Sequence, residues 1–217
     1  MHVVEPKVFP IAETRVLHPS LDQMLKEVGA EGWKTAGAST SPELLVEVAG
    51  RLCYKSFAPG LNPNVTKVRE GNQEYIGNIL KQKHGSVLEH ATTTLAFIGV
   101  SRIFTHELVR HRAGCAYSQE SMRYVRMEDV GMYIPDVIRS HPNIEVQNTY
   151  VEASQNAEKA YAKLVELTDI DNMKDFHEKK QLTSAFRRIA PGGHTTNIIM
   201  TANHRAWRHL IDLRTAE

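Results

Sequence analysis

The stretch Thr92–Val100 (TTTLAFIGV) constrains the chain more than any other. Five of its nine residues are β-branched, none is charged, and nothing in it signals a helix, so it reads as a strand. Its apolar part, Leu95–Val100, is the longest such run and falls far short of the roughly 20 residues a membrane span needs. Most of the remaining sequence reads as helix. Ser101 can cap a helix through Ile103, Phe104, Leu108 and Val109. Ser39-Thr40-Ser41-Pro42, followed by Glu43, reads as a helix start, and that helix runs through Leu44, Val48 and Leu52. Ile76, Ile79 and Leu80 mark a helix over 72–83, and Tyr150 to Leu167 mark an amphipathic one over 149–168. Two more are expected at 174–189, ending before Pro191-Gly192-Gly193, and at 203–214. Residues 56–65 read as a loop, and further short strands are expected at 122–127 and 197–201. Without a βαβ rhythm, this order predicts an α+β fold, a mixed sheet flanked by helices, in a single domain over 1–217. No repeat, low-complexity tract or domain boundary interrupts it, and residues 1–38 carry no functional reading.

Charge is informative through its placement. The net charge is +1, which argues against bulk attraction to nucleic acid or a membrane surface. Yet Arg102, Arg110, Arg112, Arg123 and Arg126 fall in one window and Arg187, Arg188, Arg205, Arg208 and Arg214 in another, while no Lys lies in either. A surface tuned for solubility would mix the two cations. Arg alone suits planar, bidentate recognition of phosphate or carboxylate. Cys53 and Cys115 are too few for a disulfide scaffold, and Met1–Ile11 does not resemble a signal peptide, so a reduced, cytoplasmic setting is expected.

Several chemistries can be set aside. His106 and His111, like His204 and His209, lie five residues apart, which separates them by about 140° around a helix and prevents a shared metal. No metal site is expected. There is no Gly-x-Ser-x-Gly elbow, no catalytic signature around Cys115, no dinucleotide fingerprint and no P-loop. Residues 110–124, RHRAGCAYSQESMRY, then stand out. Ser118, Ser121 and Arg123 can donate to one phosphate while Arg110 and Arg112 serve a second anion. A phosphorylated metabolite suits this block better than a nucleic acid, because Tyr117 and Tyr124 are too few for a stacking platform.

The same block resembles the signature of the flavin-dependent thymidylate synthases, the ThyX family, RHRxxSxNxxSxRY. His84-Gly85-Ser86-Val87-Leu88-Glu89-His90, Phe186-Arg187-Arg188-Ile189-Ala190-Pro191 and Asn203-His204-Arg205 through Leu213-Arg214 resemble three further family elements, in order. The resemblance covers roughly residues 43–217 and implies reductive methylation of dUMP to dTMP. In that reaction 5,10-methylenetetrahydrofolate donates the carbon and FAD, reduced by NADPH, supplies hydride. It further implies that Arg110, His111, Arg112, Gln119, Ser86, Asn203, Arg205, His209 and His84 surround FAD. Glu107, Arg110, Gln119, Glu120, Ser121, Arg123 and Arg187, the last from another subunit, are expected around dUMP. Arg214 is the expected catalytic residue, a fixed cation beside the uracil ring. The family forms homotetramers with shared sites, and none of the expected partners is a nucleic acid or a membrane.

The block has 15 residues where the family pattern has 14, an insertion between Arg112 and Ser121. Relatives continue into another helix beyond the stretch ending at Arg214-Thr215, so that helix is expected to be absent here. Two other readings are a flavin- or nucleotide-binding relative without turnover, and a single-strand nucleic-acid binder using the Arg windows.

Overall fold

The computed structural model describes residues 2–37, 39–124 and 131–216. The strands are β1 (Lys7–Glu13), β2 (Thr92–Ser101), β3 (Cys115–Gln119) and β4 (Thr195–Asn203). The helices are α1 (His18–Glu27), α2 (Ser41–Tyr54), α3 (Asn72–Lys81), α4 (Arg102–Leu108), α5 (Asp136–Arg139), α6 (Ile144–Thr168), α7 (Phe176–Phe186) and α8 (His204–Thr215). Short 3₁₀ turns cover Gly85–Glu89 and Arg187–Ile189.

The fold is α+β, but its sheet is not mixed. The four strands lie in the order β1-β2-β4-β3 and pair antiparallel. Glu120 N–H donates to Asn197 O and Asn203 N–H to Gly114 O, each at 3.0 Å, which fixes β3 against β4. Among the described residues, parallel pairing is confined to isolated bridges at Val3–Met132 and Ala36–Gly71.

Helix starts follow the sequence signals. Thr40 Oγ1 accepts from Glu43 N–H at 3.4 Å while Glu43 Oε2 accepts from Thr40 N–H at 2.7 Å, a reciprocal capping box at the head of α2. Ser101 Oγ accepts from Phe104 N–H at 3.1 Å and starts α4 where β2 ends. The strand expected at 122–127 is not formed where it is described: residues 122–124 make a turn, and 125–127 lie outside the described residues. The neighbouring strand is instead β3, inside the Arg-rich block. Its sequence, CAYSQ, carries no apolar alternation, and only backbone pairing with β4 identifies it. Residues 2–37 are built into the structure through β1 and α1, where Leu25, at 3% exposure, packs with Ala30, Leu44, Val48 and Phe57.

The chain divides into two compact units. One comprises 1–9, 96–110 and 117–200, and has Tyr161, Ile170 and Phe186 at a core under α6 and α7. The other comprises 10–95, 111–116 and 201–217, and packs Val46, Tyr75, Ile79, Val87, Leu88 and Ala91 in addition to the Leu25 cluster.

The second unit also buries an ion pair. Glu47 and Arg51 are 0% and 1% exposed, one helical turn apart on α2, with Arg51 Nη2 at 2.7 Å from Glu47 Oε1. Thr35 Oγ1 and Asn72 Nδ2 donate to Glu47 Oε2 at 2.6 and 2.7 Å. Arg51 donates in turn to the carbonyls of Ser56 and Arg69, and its guanidinium lies 4.4 Å from the centre of the Tyr75 ring. One side-chain pair thereby ties α2 to α3 and to the loop between them.

Two histidines make stability depend on pH. Burial holds His194 below its ordinary pKa, opposed by Glu158 and reinforced by Arg102. Burial likewise lowers His204, opposed by Glu13 and Glu43. Below the unfolded value, about 6.5, the unfolded chain takes up protons that the folded chain resists. Denaturant midpoints are therefore expected to stay level above about pH 6.5 and to fall as the pH drops below it. A midpoint that rises on acidification to pH about 5.5 would contradict this.

Candidate functional site

Each unit carries a polar cluster containing residues singled out from the sequence. In the first unit a cavity of about 540 Å³ is lined by Arg102 and His106 of α4, residues 119–122 at the end of β3, and Arg187, Arg188 and residues 190–192. Of the residues expected around dUMP, this cavity collects Gln119, Glu120, Ser121 and Arg187 in a single chain.

Hydrogen bonds determine what each can offer. Gln119 Nε2 donates to the hydroxyl of the fully buried Thr105 at 3.0 Å, which anchors its side chain against α4. Glu120 turns both carboxylate oxygens to β4: Oε1 accepts from Asn197 Nδ2 at 2.6 Å and Oε2 from Asn197 N–H at 3.1 Å. Ser121 Oγ accepts from Arg123 N–H at 3.2 Å, inside the turn that follows β3. Arg102 is the residue with unmet capacity. Its Nη2 donates to Glu120 O at 3.4 Å, whereas its Nε is buried with no hydrogen-bond partner among the described residues. Burial lowers the Arg102 pKa; Glu120 opposes the shift and Arg187 adds to it. A guanidinium stays charged even so, and a half-buried cation beside a second cation, with one donor unmet, suits an anion.

The remaining residues of the expected nucleotide set are placed elsewhere. Glu107 and Arg123 are exposed and do not line this cavity, and Arg110 is exposed just beyond α4. Arg214 is exposed in the last turn of α8, in the second unit.

The second unit holds most of the residues expected around FAD. Asn203 caps α8, its Oδ1 accepting from Ala206 N–H at 2.8 Å. Gly114, at φ +72°, turns the chain into β3, and a Cβ there would lie 2.3 Å from Asn203 Nδ2. That turn lies in the stretch holding the extra residue of the motif, and Gln119 at the end of β3, with Glu120 and Ser121 after it, still lines one cavity. The rings of His111 and His209 meet edge-on at 6.4 Å. A second cavity, about 210 Å³, is lined by Lys83, Gly85, Arg205, Arg208, His209 and Asp212 among others. Arg205 Nη1 pairs with Glu89 Oε1 at 2.5 Å, and its stem packs over Gly85. Ser86 and Arg112 are exposed and outside this lining, and Gln119 belongs to the first unit. His84 faces a third cavity, with its Nδ1 at 3.1 Å from the Tyr54 hydroxyl.

Gly114→Ala is expected to destabilise the second unit by about 1–3 kcal/mol, because the left-handed backbone and the Asn203 amide both oppose a methyl group. Urea denaturation would measure it, and an unchanged midpoint would contradict the packing.

Sequence reasoning did not single out Arg102, His106, Arg188, Lys83 and Arg208 as site residues. Four of them lay within the Arg windows and could have been found there; Lys83 has no such signal. Among the described residues no group of three or more His, Cys, Asp or Glu is arranged to hold a metal ion.

The family described as Thymidylate synthase complementing protein matches residues 37–217. A flavin-dependent thymidylate synthase of Corynebacterium diphtheriae is 36% identical over 188 residues, 85% of this chain and 71% of that protein. One from Mycobacteroides abscessus is 37% identical over 178 residues, 80% and 67% of the two chains. Among solved structures, a UMP/dUMP methylase PolB from Streptomyces cacaoi bound with 5-Br dUMP superposes with a TM-score of 0.64 at 18% identity. That match covers 100% of this chain and 81% of the other. At that identity the likeness speaks for the fold.

Proposed function

The chain belongs to the family of flavin-dependent thymidylate synthases, and from that membership we propose that it converts dUMP to dTMP. The methylene comes from 5,10-methylenetetrahydrofolate, which leaves as tetrahydrofolate, and NADPH is the reductant. The observation that carries the nucleotide assignment is the unmet buried Nε of Arg102 beside Arg187. The 5′-phosphate of dUMP would satisfy that donor, with Arg187, Arg188 and the Ser121 hydroxyl as further partners. Gln119 borders the sugar from its anchor on Thr105. Glu120 serves from behind, because both its oxygens are already held by Asn197.

The second unit fits an anionic dinucleotide cofactor such as FAD. Lys83, Arg205, Arg208 and His209 supply donors, and Gly85 brings its backbone close where a side chain would crowd Arg205. Bound and reduced, FAD supplies the hydride that completes the methyl group. His111 and Asn203 fix the edge of that site through the His209 ring and the α8 cap. Ser86, Arg110 and Arg112 are proposed as further partners of the cofactor. Arg214 is proposed to hold negative charge as it develops on the uracil, with Arg123 at the phosphate and Glu107 facing the ribose. Arg214 is proposed to complete a site shared between chains of a homotetramer, whereas Arg187, expected from another subunit, serves the cavity of its own chain. No helix among the described residues is long and apolar enough to cross a membrane, in keeping with the proposed cytoplasmic setting.

Purified protein is expected to bind FAD, giving a yellow absorption spectrum, and to oxidise NADPH at a rate that responds to dUMP. Absence of flavin uptake would remove the proposal. Flavin binding without any response to dUMP would favour the relative without turnover.

A further inference from the structure

The third cavity of the second unit, about 410 Å³, is unlike the other polar clefts in its lining. Tyr54, Asn64, Lys67, Arg69, Gln82 and His84 face it, and no Asp or Glu is among the described residues that line it. Arg51 lies at its base and is already committed to Glu47 and the Ser56 carbonyl. The available cations are therefore Lys67 and Arg69, both on the loop before α3.

Those two converge. Lys67 Nζ and Arg69 Nε both approach Glu74 Oε1, at 3.9 and 3.7 Å. Both distances exceed a hydrogen bond, and the Lys67 and Glu74 side chains are 72% and 55% exposed, so the association is loose. Two positive charges face one carboxylate, which leaves one charge uncompensated beside a donor-rich cavity. On the opposite side the His84 ring stacks on Tyr54 with centroids 6.0 Å apart.

We propose that this cavity is the subsite for the glutamyl carboxylates of 5,10-methylenetetrahydrofolate, held by Lys67 and Arg69. The inference rests on the synthase reading, in which His84 is expected beside FAD and the folate delivers its methylene next to that flavin. A carboxylate is favoured over a phosphate of NADPH because the pair already attracts one, that of Glu74. Glu74 then competes with the tail for the same cations.

The test compares the KM for mono- and tetraglutamyl methylenetetrahydrofolate in dTMP formation. The unmodified protein is expected to show a KM about fivefold lower for the tetraglutamyl form, the range that two exposed ion pairs supply. Lys67→Ala/Arg69→Ala should bring that ratio to about one and leave the KM for NADPH unchanged. Glu74→Gln should widen the ratio, a gain that misfolding does not produce. Equal KM values in the unmodified protein, an equal rise for both folates in the double variant, or a rise in the NADPH KM alone would overturn the proposal. If neither folate yields dTMP in the unmodified protein, the synthase reading itself fails, which is a separable result.

Discussion

Replacing Glu47 by Ala is expected to lower the unfolding free energy by about 3–5 kcal/mol, the usual cost of leaving one member of a buried pair without the other. The Arg51 guanidinium, 1% exposed, would keep its two carbonyl acceptors and lose its counter-charge. Asn72 and Thr35 would each lose an acceptor as well. The loop from Ser56 to Arg69 and the start of α3 should loosen together, because Arg51 is their common tie. Denaturant titration would show a lower midpoint with an unchanged slope. Glu47→Leu combined with Arg51→Met should be far milder, since removing both charges leaves none uncompensated. If the single and double variants cost the same, the pair does not have the role given to it here.

Replacing Arg102 by Ala is expected to raise the KM for dUMP by about 10- to 100-fold with a smaller change in kcat, corresponding to about 1.5–3 kcal/mol for a hydrogen bond to a charged group. The effect should be specific to the phosphate. Binding of deoxyuridine, which lacks it, should change little, so the preference for dUMP over the nucleoside should shrink in the variant. Arg102→Lys should recover only part of the loss, because an ammonium keeps the charge without the planar set of donors. Equal weakening of dUMP and deoxyuridine would mean that Arg102 supports the fold around α4 and does not contact the nucleotide.

Much of the fold was legible because local chemistry and tertiary structure agree. The Thr40–Glu43 capping box, the Ser101 cap and the β-branched run of β2 each specify their element within a few residues. The failures share a cause. β3 (CAYSQ) has no fully buried residue and β1 is exposed along its whole length, so neither shows in its residue types the apolar alternation that a buried face imposes. Both are strands because a neighbour offers them a backbone edge, which no local window contains.

Part of the arrangement of the candidate site was legible as well. Clustered Arg pointed to anions, and Gln119, Glu120, Ser121 and Arg187 share one cavity although Arg187 is distant in sequence. The sequence could not show that Asn197 occupies the carboxylate of Glu120, or that Arg102 retains a buried donor. Those are matters of side-chain direction, set by the pairing of β3 with β4. The motif insertion is likewise interpretable only in three dimensions. The turn within that stretch depends on Gly114 at positive φ, and the chain beyond it brings Gln119, Glu120 and Ser121 to the cavity.

The central claim is that this chain methylates dUMP at C5, and loss of tritium from dUMP labelled at that carbon tests it most directly. With FAD, NADPH and methylenetetrahydrofolate present, tritium should appear in water in step with dTMP, and Arg214→Ala should abolish both. Full flavin occupancy with the label retained on dUMP would contradict the account.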